Sequence, residues 1–322
     1  MPNPDAFVRL RLKHPVFQAP IGSIASSELV AAVSNAGGLG HFACTWRSPE
    51  NLRDLFANMK TLTDRAYGAN FVMGFPIEER LEVALKHGVK AISFFWGDAA
   101  SHVASVKSAG AVAIQVVGSI GEARRAADAG FDLVVAQGRE AGGHVRGSLG
   151  TMSLLPQIVD AITPVPVLAA GGIGDRRSVA AAIALGAAGV WVGTRFLAAT
   201  EANIHPYYQD RIVASSGDDT LYSELFDGGW PNAPLRTLKN ATTEMWEEAG
   251  RPAFPHRPGE GEIVARRTDG SEIPRYYFGS PTREICEGAE AMALYAGEAV
   301  GLVRATANAA AIVDDLSTGF KV

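Results

Sequence analysis

The stretch "VPVLAAGGIGDRRSVAAAIALGAAGVWVGTRF", Val165 to Phe196, decides the fold. A short apolar run, "VPVLAA", ends in two glycines. The polar "GDRRS" then opens an alanine-rich segment that closes on Gly186, as a helix C-cap does. A β-branched run, "GVWVG", follows and again ends in glycine. Strand, helix and strand in about thirty residues make one βαβ unit. The consecutive apolar positions suit parallel strands covered on both faces.

The same punctuation recurs upstream. "SNAGG", "LKHG", "KSAG" and "DAG" each close an amphipathic segment, and "GLGHFAC", "VKAISFF", "AVAIQVV" and "FDLVVAQ" follow them. With "HPVFQAP" and "AYGANFV", eight strands are expected, beginning near residues 15, 39, 66, 90, 111, 131, 165 and 189. Ser48 with Pro49 and Glu50, and Ser119 with Glu122, mark helix starts. Eight alternating units predict an α/β fold, a (β/α)8 TIM barrel; an open doubly wound sheet is the alternative.

The interval from strand six to strand seven is the longest, about 34 residues, and its excess is "GREAGGHVRGSLGTM". In such barrels the loops after strands form the catalytic face. Beyond Phe196 the rhythm stops. Residues 1–205 read as the barrel and 206–322 as a mostly helical cap on its mouth, with "GSPTREICEGAEAMALYAGEAVGLV" as a C-terminal helix. Pairing with a second subunit, as a homodimer, is another use for this tail.

Composition excludes several classes. The net charge of −5, without a basic run, leaves no footprint for nucleic acid or an anionic membrane. No segment reads as a membrane span or a signal h-region. Cys44 and Cys286 are far apart and lack metal-ligand spacing, so neither disulfide nor zinc is expected and a reducing cytoplasm fits. No histidines and carboxylates share metal spacing, so no metal centre is expected.

The turns after strands seven and eight, with Gly171, Gly172, Gly193 and Thr194, occupy the usual phosphate position of this barrel. Glycine lets backbone N–H groups approach an oxyanion, and a helix N-terminus adds a favourable dipole. The plain alternative is that the glycines only make tight turns. Four amides recur near strand ends: Gln18, Asn70, Gln115 and Gln137. Such groups need partners, which a planar heterocycle or neighbouring backbone would supply. His144, directly after Gly142 and Gly143, is the histidine of the enlarged loop. Its ordinary pKa of about 6.5 suits proton abstraction near neutrality. His41 reads as packing beside the site, and Trp96 as a wall or ordinary core.

"QAPIG", "VSNAGGLG", "VVAQGREAGGH", "LAAGGIG" and "GVWVGTRFLAATEA" together resemble the nitronate monooxygenase family, formerly 2-nitropropane dioxygenases, over about residues 10 to 245. The resemblance implies non-covalent FMN, with Ala19, Pro20 and Ile21 packing on its ring system. Asn70, Gln115 and Gln137 would meet flavin edges or ribityl hydroxyls, and Gly142 and Gly143 would lie against the cofactor. Gly171, Gly172, Gly193 and Thr194 would hold its phosphate. His144 matches the family's catalytic histidine, taking a substrate proton or stabilising an anionic substrate, with O2 as co-substrate. Glu298 stands where many relatives carry glutamine, and Arg146 adds charge beside the base.

Three functions compete: oxidation of alkyl nitronates by O2, NAD(P)H-dependent reduction of a quinone or enoyl thioester, and a flavin-free barrel for a phosphate ligand. All three take a small-molecule substrate.

Overall fold

The computed structural model describes residues 5–321. The ends of the two expected regions, residues 1–4 and 322, lie outside them. Helix α1 (Asp5–Arg9) precedes strand β1 (Val16–Gln18). Alternation then begins: α2 (Ser27–Asn35), β2 (His41–Ala43), α3 (Pro49–Leu62), β3 (Gly68–Val72), α4 (Glu78–Lys86) and β4 (Ala91–Phe95). It continues with α5 (Ala100–Ser108), β5 (Val112–Val117), α6 (Ile120–Asp128) and β6 (Leu133–Gln137). After the two-residue β7 (Gly143–His144) come α7 (Thr151–Ile162), β8 (Val167–Ala170), α8 (Arg176–Ala184) and β9 (Gly189–Val192).

Apart from β7, these strands form one parallel eight-stranded sheet in the order β1-β9-β8-β6-β5-β4-β3-β2. A parallel bridge between Phe17 and Leu39 joins its two edges, so the sheet curls into a nearly closed barrel. This is the expected (β/α)8 architecture rather than the open sheet. Phe17, Leu39, Leu133, Val135, Leu168 and Trp191 fill the interior, and Ala6 of α1 and Leu10 just after it pack into the same cluster. The start signals work as read: the Ser48 and Ser119 hydroxyls accept from the amides three residues on. Glu122 does not complete a capping box; its carboxylate accepts from Gly118 N at 2.8 Å.

After β9 the chain leaves the barrel through α9 (Thr194–Leu197) and α10 (Pro206–Ala214). It then makes β10 (Thr220–Ser223), β11 (Leu235–Leu238), α11 (Ala241–Glu248), β12 (Ile263–Arg267), β13 (Glu272–Pro274) and β14 (Ile285–Glu287), and ends in α12 (Ala309–Thr318). This corrects the mostly helical reading of the tail. Residues 279–303 are not one helix but β14 and short 3-10 turns. Gly288 sits at φ +78°, and a Cβ there would meet Val264 O at 1.8 Å, so a strand pairing interrupts the helical spacing. The excursion carries two small sheets, β10-β11-β7 and β13-β12-β14. Its last helix, α12, packs against α2 and α8 in the barrel wall, burying Ile312, Val313 and Leu316.

Candidate active site

His144 belongs to β7, and β7 is the third strand of a sheet whose other members lie in the excursion. His144 pairs with Leu235 and Gly143 with Arg236 of β11. His144 is therefore held from both sides: by the loop after β6 and by the chain that returns over the mouth. Gln137, at the end of β6, fixes the loop from below. Its Nε2 donates to His144 O at 3.0 Å, and its Oε1 accepts from Arg146 N at 3.3 Å. Glu140, in the same loop, accepts from Thr151 N at 2.9 Å and so caps α7.

The imidazole has a defined tautomer. Nδ1 lies 3.1 Å from Ala233 O. A carbonyl only accepts, so Nδ1 carries the hydrogen and Nε2 keeps its lone pair. Burial lowers the His144 pKa to about 4, so the ring is neutral near pH 7. Nε2 faces the Tyr295 hydroxyl at 3.5 Å, but that hydroxyl donates to Phe278 O at 2.7 Å. A hydroxyl has one hydrogen, so Tyr295 presents lone pairs to Nε2. The Nε2 lone pair is left for another proton. Trp230 lies over the ring with centroids 3.9 Å apart, and Trp96, at φ +65°, stands behind both.

His144 opens on a cavity of about 660 Å³. Ala19, Pro20, Ile21, Asn70, Gln137, Gly142, Gly143, Gly171, Gly172, Gly193 and Thr194 all line it. Gln115 does not. Its Nε2 donates to Phe94 O, Gly97 O and Val116 O, and it lines a separate, smaller cavity of about 140 Å³. Gln18 is satisfied by backbone, bonding Ala19 and His41, as the plain alternative had it. Asn70 donates through Nδ2 to Ser93 Oγ at 2.9 Å, and among the described residues its Oδ1 receives nothing.

The glycine turns leave backbone N–H groups free beside the cavity. Gly171 and Gly172 have φ +94° and +73°, and open space surrounds the Cβ position of Gly172. Among the described residues no acceptor meets the amides of Gly172, Ile173 or Gly193, all beside the cavity. Unpaired, half-buried N–H groups of this kind suit an oxyanion. Helix dipoles contribute less than expected, because α9 has only four residues and Asp175 already caps α8 through Arg177 N and Ser178 N.

Gly142 has a use the sequence did not reveal. A Cβ there would come 2.4 Å from Gly297 N, so what approaches its backbone is the excursion. Gly297 N in turn donates to Thr194 Oγ1 at 2.9 Å, tying the mouth loops together. His41 is packing, as expected: it is fully buried, 4.6 Å from the Trp191 ring, with its pKa lowered by burial to about 3. The Arg146 charge is met by Glu122 and that of Glu298 by Arg236. Among the described residues no three His, Cys, Asp or Glu side chains form a metal-binding group, and no helix is long and apolar enough to cross a membrane.

A family model described as nitronate monooxygenase matches residues 6–76 and 65–319. The chain belongs to the nitronate monooxygenase family. It is a flavin-type oxidoreductase, as the relatives are oxidoreductases by name. It is 36% identical over 243 residues to the (3aS,4S,5R,7aS)-5-hydroxy-7a-methyl-1-oxo-octahydro-1H-indene-4-carboxyl-CoA dehydrogenase of Mycobacterium tuberculosis, covering 74% of this chain and 67% of that one. FabK of Thermotoga maritima superimposes with TM-score 0.84 at 30% identity, over 98% of this chain and 96% of that chain. Nitroalkane oxidase of Streptomyces ansochromogenes gives 0.79 at 26%, over 98% of both chains.

The glycine turns and His144 are legible in the sequence, whereas Trp46, Trp230, Phe278 and Tyr295, which line the same cavity, are not. The available signal was the aromatic content of "GGWP", "YYFGSP" and "LYAGE" in a tail otherwise rich in turns.

Proposed function

We propose that the chain is an FMN-dependent oxidase of nitroalkanes and their nitronates, using O2. The observation that carries this reading is the free lone pair of His144 Nε2 beside a cavity with unpaired glycine amides. Those amides and the Thr194 hydroxyl would hold the FMN phosphate, Ala19 to Ile21 would pack on the ring system, and Asn70 Oδ1 would accept from its edge. Gln137 holds the loop that carries His144, with both ends of its amide already engaged. Bound FMN would supply the redox chemistry, taking two electrons from the substrate and passing them to O2.

A neutral imidazole has no positive charge to offer an anion, so of the two roles expected for His144 the base fits its environment. Nε2 takes the α-proton of a neutral nitroalkane, while the Ala233 carbonyl steadies Nδ1–H as charge develops on the ring. The hydrogen bond between Tyr295 and Phe278 keeps the facing oxygen an acceptor throughout.

The competing reading is reduction of a quinone or enoyl thioester by NAD(P)H, favoured by the dehydrogenase among the relatives. Anaerobic stopped-flow with propyl nitronate, propionate 3-nitronate, NADH and NADPH side by side separates the two. Rapid bleaching by nitronate and slow bleaching by nicotinamide is expected, and the reverse order would overturn the oxidase. A protein that takes up no FMN would overturn both.

A further inference from the structure

The cavity wall that reaches His144 is built of rings. Trp46, in the turn after β2, has its indole centroid 5.3 Å from Phe75, 5.5 Å from Trp230 and 5.1 Å from Phe278. Its neighbours pin that turn from both sides. Thr45 Oγ1 accepts from Val72 N at 2.9 Å, and Arg47 O accepts from Arg80 Nε at 2.7 Å. The indole is therefore held, yet 43% of its surface stays exposed. A tryptophan that only packs a core is buried; apolar surface held open on a pinned turn beside a cavity suits a ligand. The rings come from distant parts of the chain, and one of them, Trp230, lies over the His144 imidazole.

We propose that Trp46, Trp230 and Phe278 form a subsite for a ring, so that the substrate of His144 carries a flat or fused carbocycle next to the carbon that loses its proton. This rests on the base reading given above and narrows the substrate from short alkyl chains to ring-bearing carbon acids. It concerns binding and adds no bond-making step. Edge-to-face and offset contacts between rings reward a rigid flat body, whereas a flexible chain must be ordered on binding.

The test is calorimetric titration of the FMN-loaded protein with 2-tetralone and with 2-decanone, two ketones of equal carbon number. The chain ketone has no less apolar surface, so a merely greasy cavity would favour it. The ring ketone is expected to bind roughly tenfold tighter. Trp46→Ala should erase that preference and Trp46→Phe should keep most of it, with FMN retention and melting temperature reporting on folding. Phe278→Ala, from a separate segment, should weaken the ring ketone in the same way. Equal binding of the two ketones, or a preference that survives both alanine variants, would overturn the subsite. Because binding needs no turnover, the two readings fail separately. A ring preference in a protein that oxidises no nitroalkane sinks only the oxidase reading. Nitroalkane oxidation without ring preference sinks only the subsite.

Discussion

His144 and Tyr295 face each other with lone pairs, not with a shared hydrogen: Nε2 and the hydroxyl oxygen are 3.5 Å apart, and the hydroxyl hydrogen is committed to Phe278 O. Once Nε2 has taken a proton it gains a ready acceptor. Tyr295→Phe removes that acceptor and should lower kcat for nitroalkane roughly tenfold, with KM little changed. The pH profile of kcat checks the assignment, because a purely structural role would not shift the pKa of the base.

Replacing His144 separates the two proposed substrates. His144→Ala should cut oxidation of neutral nitroalkane by about 10²–10⁴-fold while sparing the preformed nitronate, which needs no deprotonation. With the wild-type pKa lowered by burial to about 4, kcat/KM for nitroalkane should rise through that pH and stay flat across 6 to 8. Steady-state assays over pH 3.5 to 8 decide it; an inflection near 6.5 would count against the buried neutral ring.

Two adjacent glycines should fail for different reasons. Gly142→Ala drives a Cβ to within 2.4 Å of Gly297 N and should cost about 1–3 kcal/mol, as overpacking does. Gly143→Ala meets nothing within 4 Å and bears only its φ of +76°, worth about 1–2 kcal/mol. Urea unfolding of both variants measures the difference, and only the first should also loosen the excursion to proteolysis.

Gly172→Ala tests the anion cradle. Its Cβ would project into open space, so folding loses little beyond the strain of φ +73°. FMN affinity should nonetheless fall by about tenfold or more, since the added methyl would occupy cavity space in front of the amides and hold a charged acceptor away from them. Fluorescence titration of the apoprotein with FMN gives the number.

Buried neutral histidines also make stability depend on pH. His41 and His144 have folded pKa values lowered to about 3 and about 4, against about 6.5 when unfolded. Between those limits the unfolded chain binds more protons, so stability is fully present above pH 6.5 and is lost as pH falls toward 4. The slope is up to about 1.4 kcal/mol per pH unit for each ring. Denaturation midpoints at pH 7, 6, 5 and 4.5 should show it, and His41→Leu should remove one share.

The barrel was legible because its signals are local. Most strands are bounded by glycine, and α3 and α6 announce themselves through Ser48 and Ser119. The glycine turns after β8 and β9 were legible for the same reason. The excursion was not, because its order comes from pairings between distant segments. Nothing near Gly143 says that two residues will join β11, and nothing near Trp230 says that its indole will cover His144. Residues 279–303 misled because apolar positions from β14 and from separate turns fall at helical spacing by coincidence. Gln115 looked like its fellow amides, yet backbone carbonyls around Gly97 claim its Nε2.

The place of α12 has a consequence for the order of assembly. Residues 309–318 close the groove between α8 and α2, although every barrel strand is complete by Val192. During synthesis the apolar floor of that groove stays wet until Ile312, Val313 and Leu316 leave the ribosome. A chain halted anywhere in the excursion therefore leaves the groove between α8 and α2 uncovered, however complete its strands.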